Sequence, residues 1–549
     1  MVNFHLPQWL LGMPRVAPVA DQPAAVQGHV SLHETPAQHY APTTKHHAAH
    51  SSAWKAVSSS GSCCGALQKT MGDKVVFPNA KAFSQSVGSY WSLKNTEIHP
   101  SCIVLPGSAK EVSEAVSTLS LGATVWKDRC QFAIRGGGHT PWAGAANIEQ
   151  GIVIDTTNLP VRGLSKDKKT ITISPSQTWD EVYAALDAHD LSTLGGRVGG
   201  VGVGGLVTGC GISYYSPRYG FTCDVVENFE VVLATGDIVN ANATHNADLF
   251  KALRGGGNNF GVVTAITMQT FPQGKFWGGQ TFHPITTRQK QFKALERLIG
   301  THPYDPYVHF INTLVINNMT YGNWIIGDSL QYTKSDPPVP NPEVFKPFLD
   351  LPRFAPFPGG PDNSLRVDNL TDFTMEYASL FTYKKRWQFA SIAFGNSAEM
   401  MEDFFQLANA TVWPFVNLPG FQLSISFQPL PTIMTERRGA VDSLGPIQTG
   451  GDMFFIHWGM AVDGEYASYD SVFQQAVSEL FERASARAKE LGVQRDFVPM
   501  TYADGWQDPI GTRSKGTKEE LWRTSKKYDP LQVFQKQVPG GFKLPKMEK

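Results

Sequence analysis

The sequence predicts an α+β chain of two domains, and three observations carry that prediction. Residues 63 to about 272 alternate short apolar runs with stretches of helical periodicity, the pattern of mixed α and β layers. From 275 to about 495 the apolar runs lengthen, as in YVHFINTLVINN and MFFIHWGMAV, and long helices punctuate them, as in a sheet with covering helices. The stretch after Phe497 is too short for a core of its own and is expected to pack back onto the first domain. The expected limits are 1–60 for a leader or disordered arm, 61–275 and 276–495 for the domains, and 496–549 for the returning segment.

A chain of 549 residues with 42% hydrophobic side chains can fill more than one core. The formal charge of −1 leaves no general attraction for phosphate backbones or anionic membranes, so nucleic acid is not an expected partner. No apolar run reaches the ~18 residues a bilayer span needs. The start, MVNFHLPQWLLGMPRVAPVA, is a poor secretory signal because Pro7 and Pro14 break its apolar run. Sequons at Asn242, Asn318, Asn369 and Asn409 would accept glycans in the secretory route, so secreted and intracellular locations stay open together. Six cysteines show neither CxxC spacing nor the density of a disulfide scaffold, which argues against zinc and leaves room for one bridge.

The first 60 residues lack sustained periodicity. His39, His46, His47 and His50 fall there without the packed surroundings that fix a metal site, so no functional metal is expected. In CIVLPGSAKEVSEAVSTL, residues 102–119, an apolar run stops at Pro106. Ser108 then caps a helix whose Val112, Ala115, Val116 and Leu119 share a face. Strands are expected at 132–136, 151–156, 170–174 and 229–239, with a helix over 178–190. In the second domain a helix begins near Glu465, with a stripe from Tyr466 to Leu491. The proline-rich 334–348 reads as a surface loop rather than a PxxP ligand.

Three glycine-rich stretches carry the chemistry: IRGGGHTPWAG at 134–144, GGRVGGVGVGGLVTGCG at 195–211 and ALRGGGNNFGVV at 252–263. Bare backbone N–H groups form concave anion sites, and a diphosphate is a common occupant. One such loop would be a turn. Three, with Arg135 and Arg254 each directly before a triple glycine, favour one extended phosphate-bearing cofactor. Gly200, Gly202 and Gly205 also match the dinucleotide fingerprint, with Asp224 near the ribose-binding distance. The context refuses that reading, since STLGGRV is a poor strand and Gly209, Gly211 and Pro217 interrupt the helix it requires.

With these motifs in hand, the chain resembles fungal FAD-linked oxidases of the berberine-bridge-enzyme group, within the vanillyl-alcohol-oxidase type of flavoprotein. CIVLPGSAKEV, IRGGGHTPWAG, GIVIDTTNL, VGVGGLVTGCG, LFKALRGGGNNFGVV, YADGWQDP and KYDPLQVF carry the resemblance, over 63–275 and the last stretch of the chain. It implies a PCMH-type FAD-binding domain, an antiparallel-sheet substrate domain, a C-terminal segment completing the first, and a flavin ring at their junction. The implied FAD-binding set is Arg135, Gly136, Gly137, Gly138, His139, Thr140 and Gly144 from the first loop and Val198, Gly200, Gly202, Gly204, Gly205 and Gly209 from the second. Gly261, Val262 and Val263 follow from the third, with Tyr502 from the terminal motif.

In the family the histidine after the triple glycine bonds to the 8α carbon of the flavin, which makes His139 the expected tether. A second bond from cysteine is not expected, because Val198 stands at its place and Cys210 lies beyond the glycine turn. Some relatives carry a glutamate base in a substrate-domain strand, but FQLSISFQPLP at 421–431 has none. Gln428 can orient a substrate there, and Tyr502 is the titratable candidate if a neighbouring positive charge favours its anion; stacking or bonding to the flavin is its other reading. Asp504 and Asp508 read as a hydrogen-bonded turn. His457 and Trp458 fall on opposite faces of a strand, and core packing is expected of both. Gly195 and Gly196 are read as leaving dioxygen a path to the ring.

The resemblance implies an oxidase acting on a secondary-metabolite intermediate, by hydride transfer to flavin N5 and reoxidation by O2, with or without oxidative cyclisation. A pericyclic cyclase with a structural flavin and a redox-silent binding protein are the alternatives. The expected partners are a small-molecule metabolite and O2, and the expected state is a monomer.

Overall fold

The computed structural model describes residues 45–546 except 318–319, 321, 339, 356–360, 437–441, 446 and 448–449. His39 and the sequon at Asn318 lie outside the described residues. Part of the expected arm is instead a helix, Lys45–Ser58, whose Ala53, Ala56 and Val57 are buried near helices Cys63–Met71 and Ala109–Trp126. Its apolar face is made of alanines and one valine, too weak a stripe to stand out in the sequence.

Among the described residues the first domain holds two larger sheets and a two-stranded ribbon of Leu191–Ser192 with Phe271–Pro272. One runs Val75–Val76, Cys102–Val104, Ile152–Asp155, Phe132–Arg135, with parallel pairing among the last three. Parallel neighbours need a crossover, and helix Ala109–Trp126 supplies it, capped by Ser108, whose side chain accepts from the Glu111 N–H. Val112, Ala115, Val116 and Leu119 of that helix are fully buried, as their spacing predicts. The other sheet runs Gly163–Leu164, Thr170–Ile173, Val262–Gln269, Val226–Val232, Ile238–Asn242, all antiparallel. The run 229–239 is therefore a hairpin rather than one strand, because Gly236 turns the chain at φ 87°.

The second domain is an eight-stranded antiparallel sheet. Its four long central strands are Val308–Asn317, Gln422–Leu430, Met453–Val462 and Arg386–Gly395, in that spatial order. Helices Arg288–Ile299, Ala398–Val412 and Asp470–Glu490 share the core of one face. Every residue of Met453–Val462 is buried, so the opposite face is covered too, and it carries the site described below. The proline-rich loop ends differently from its sequence reading: Phe345 and Phe348 plug into this core against Trp277 and Phe310. The C-terminal segment returns to the first domain, where Phe534 packs on Phe132 and the Asn259 amide donates to the Phe542 carbonyl at 2.7 Å.

The cysteines form three bridges among the described residues, Cys63–Cys130, Cys64–Cys102 and Cys210–Cys223, where the sequence left room for one. The first two close loops of 67 and 38 residues, separations at which linear spacing carries no signal of a pair.

A polar knot lies inside the second domain. Asp328 is fully buried, accepts from the Asn312 amide at 2.6 Å and sits 3.5 Å from His283, and burial pushes its carboxyl up to about 8. From its ordinary value of 3.8 to that pH the unfolded chain ionises this group while the folded chain keeps it protonated, so stability falls across the interval and levels above it. Asp328→Asn is expected to remove this fall. In urea unfolding at pH 5 and pH 8, the variant should lose less stability between the two than the native chain, by an amount on the order of a few kcal/mol.

Candidate active site

Strand Phe132–Arg135 delivers the chain into the triple glycine. Arg135 does not enter the cradle expected of it. Its guanidinium turns back to Asp155 at 3.2 Å and Ser89 at 2.7 Å and covers the Tyr90 ring, so it anchors the loop from behind. Arg254 does the same for the third loop, lying over Phe250 and donating to the Val226 carbonyl. With both cations committed to the scaffold, the loop backbones are left to face the hollow.

The absence of side chains there is a packing requirement. A Cβ on Gly137 would fall 2.5 Å from the Gly202 Cα, so the first and second loops touch backbone to backbone. A Cβ on Gly261 would fall 2.8 Å from the Val232 carbonyl, at a φ of 156° open to glycine. The resulting cavity is lined by Gly136, Gly137, Gly138, His139 and Thr140, by Gly202, Gly204 and Gly205, by Gly261 and Val263, and by Met500, Thr501 and Ala503 of the returning segment. Its wall holds no charged side chain, so a diphosphate there would be held by backbone N–H groups rather than ion pairs. Gly137→Ala is expected to push the two loops apart. Loss of bound flavin absorbance from the purified variant, together with a lowered unfolding midpoint, is the result that checks it.

His139 faces this cavity. Burial lowers its imidazole to about 4, so the ring is neutral at physiological pH. The neighbouring Gly200 backbone favours the protonated ring but burial outweighs it, so the neutral imidazole carries one N–H and one nitrogen lone pair. Gly200 is held by a φ of 80° and by its own N–H, which donates to Asp180 at 2.7 Å. Trp91 stacks on the imidazole at 4.4 Å. Val198 supplies no thiol, and Cys210 is consumed in its bridge to Cys223. The remaining expected residues stand off the wall: Gly144 in a turn at φ 86°, Gly209 at the end of helix Val203–Thr208 against Thr501, Val262 in the core, and Tyr502 in the cluster beside it. The path read beside Gly195 and Gly196 is closed, since a Cβ on either would strike the Trp179 ring.

A second cluster lies beside the first, on the sheet face. Arg197 is 6% exposed and donates to Tyr502 Oη at 2.7 Å, to Gln428 Oε1, and to His309 Nε2 at 3.0 Å. His309 donates its one N–H, at Nδ1, to Gln331 Oε1 at 3.1 Å. Burial first, then the Arg197 charge, pushes His309 well down and His457 to about 3, so both are neutral. Among the described residues no carboxylate lies within ion-pair distance of Arg197. His457 corrects its core assignment: it sits 5.0 Å from the Tyr502 ring and 4.4 Å from Phe389, a cavity residue, with Nε2 buried and unpartnered. Trp458 is in the core as expected. Asp504 and Asp508 accept from the Gly505 and Gly511 N–H groups, which is the turn read from sequence. Arg197 was missed because it stands inside a glycine run, where the backbone drew the attention.

A cradle of bare amides with a neutral imidazole at its edge, beside a buried cationic pocket on a sheet, defines an FAD-binding oxidoreductase of α+β, PCMH type, and the cradle fits that cofactor. A family profile described as FAD binding domain matches residues 100–242. The chain is 61% identical over 502 residues to FAD-dependent monooxygenase CTB5 of Cercospora beticola, covering 91% of this chain and 95% of that one. It is 65% identical over 338 residues to FAD-dependent monooxygenase elcE of Phaeosphaeria nodorum, covering 62% and 98%. Solved structures of the same fold include BBE-like 1 of Physcomitrella patens, with TM-score 0.69, 17% identity and coverage of 88% and 99%. A chitooligosaccharide oxidase follows with TM-score 0.67, 18% identity and coverage of 90% and 100%. The chain belongs to the family of fungal FAD-dependent monooxygenases that these relatives represent, and it shares the fold of the solved structures.

Proposed function

We propose that the protein oxidises a hydroxylated secondary-metabolite intermediate, with Tyr502 taking the substrate proton and FAD held through His139 alone. The observation that carries this is the 2.7 Å hydrogen bond from a buried, acid-free guanidinium to the Tyr502 hydroxyl. That charge-assisted hydrogen bond fixes the Tyr502 oxygen on the sheet face beside the cavity. Gln428, held by the same guanidinium, keeps that face polar without competing as a base. The unpartnered His457 Nε2 is free to bond a substrate oxygen. FAD held by the glycine loops and His139 would supply the hydride acceptor and, through O2, the route of the electrons to hydrogen peroxide. The chain's own residues bind, orient and deprotonate.

Similarity to FAD-dependent monooxygenases supports a second reading, insertion of an oxygen atom into the substrate. Three disulfides further support folding in an oxidising compartment.

The test is anaerobic mixing of the holoprotein with hydroxylated pathway intermediates, followed by labelled O2. Bleaching of the flavin band by substrate, then peroxide matching product, supports the oxidase. Label in the product turns the assignment to the monooxygenase, and turnover that ignores the flavin's redox state turns it to the pericyclic reading.

A further inference from the structure

Next to the His139 loop the structure gathers oxidisable rings that reach from the imidazole to the surface. Trp91 is buried, stacked on His139 on one side and on Trp387 at 4.8 Å and 20° on another. Its Nε1 is buried with no hydrogen-bond partner. Tyr383 meets Trp91 edge-on at 6.5 Å and is 39% exposed. Its hydroxyl lies over Gly200, whose backbone neighbours His139.

We propose that Trp91 and Tyr383 form a one-electron route from solvent to the His139 loop, through which a small external reductant such as ascorbate can reduce the light-excited cofactor. The proposal rests on the FAD reading. Stacking on Trp387 spreads the positive charge of an oxidised Trp91 over two indoles, which eases its oxidation. An Nε1 with no acceptor keeps the proton on that indole, so the oxidised ring stays a cation and is readily refilled. Tyr383 differs, because a phenol loses its proton on oxidation and this one reaches water.

In each cycle Trp91 gives one electron to the excited cofactor, and Tyr383 refills Trp91 while releasing its phenolic proton to water. Ascorbate then returns a hydrogen atom to the Tyr383 oxygen. Two cycles reduce the cofactor by two electrons, with protons taken from solvent, and convert one ascorbate to dehydroascorbate. Trp142 also lines the cavity, but the aromatic partner recorded for it is Phe542, a ring too hard to oxidise to continue a chain.

The experiment uses anaerobic holoprotein of measured flavin content, illuminated with blue light in the presence of ascorbate. Tyr383→Phe is expected to slow bleaching of the flavin band severalfold while leaving the dark spectrum unchanged. Trp91→Phe is expected to slow it similarly and to raise flavin fluorescence. Equal bleaching rates in the native chain and in Tyr383→Phe at equal flavin content would overturn the route and leave the cofactor assignment intact. Purified protein devoid of flavin would overturn the assignment itself. Tyr383 is an exposed ring, and its phenylalanine variant keeps the contact with Trp91, so folding does not obscure the result.

Discussion

Replacing His139 with alanine will move the yellow colour from the pellet to the supernatant when the protein is precipitated with acid. The unaltered protein will keep it in the pellet. A bond from imidazole to the flavin needs a nitrogen lone pair, and burial provides one by holding the ring neutral down to about pH 4. Trp91, stacked on the imidazole, fixes the plane of the ring. No thiol can substitute, because Val198 stands at the alternative position and Cys210 is bridged. The variant should still bind flavin without a covalent bond, since the backbone cradle is untouched. Its reduction potential should drop, because the electron-withdrawing imidazole substituent is gone. Colour lost from the native pellet would refute the tether outright.

The second large effect is expected at Arg197. Arg197→Met removes the donor to Tyr502, Gln428 and His309 together, and kcat should fall by about 10²–10⁴, the range attributed to a positioned acid or base. Tyr502→Phe should cost a similar factor. The double variant should lose little more than the worse single one, because the two groups act as a unit. Partial restoration of the Arg197→Met rate by added guanidinium ion would separate lost charge from lost packing. Flavin content should be unchanged, since Arg197 is absent from the cavity wall. A variant with full kcat would show that Tyr502 has no need of the cation.

The cradle was legible in the sequence and the chemistry beside it largely was not. Glycine runs announce themselves because bare backbone is costly and local, and the three loops at 134–144, 195–211 and 252–263 converge as their composition suggests. The helix after Ser108 and the strand at 152–155 were equally plain, since capping and periodicity operate within a few residues. Arg135 shows the limit of the same logic. Its position before the triple glycine was correct as a signal of the loop, and only the fold showed its charge spent on Asp155 and Ser86 behind it.

The sequence by itself determined the fold class, the glycine loops that line the cavity and the histidine that faces it, because each is written in short continuous segments. The tertiary structure alone decided the three disulfides, the filled space beside Gly195 and Gly196, and the cluster around Arg197. That cluster joins residues 112, 231 and 305 positions apart, brought together by sheet register and by the returning C-terminal segment. Contacts made over such separations depend on how whole elements pack, and no local pattern of residues encodes them.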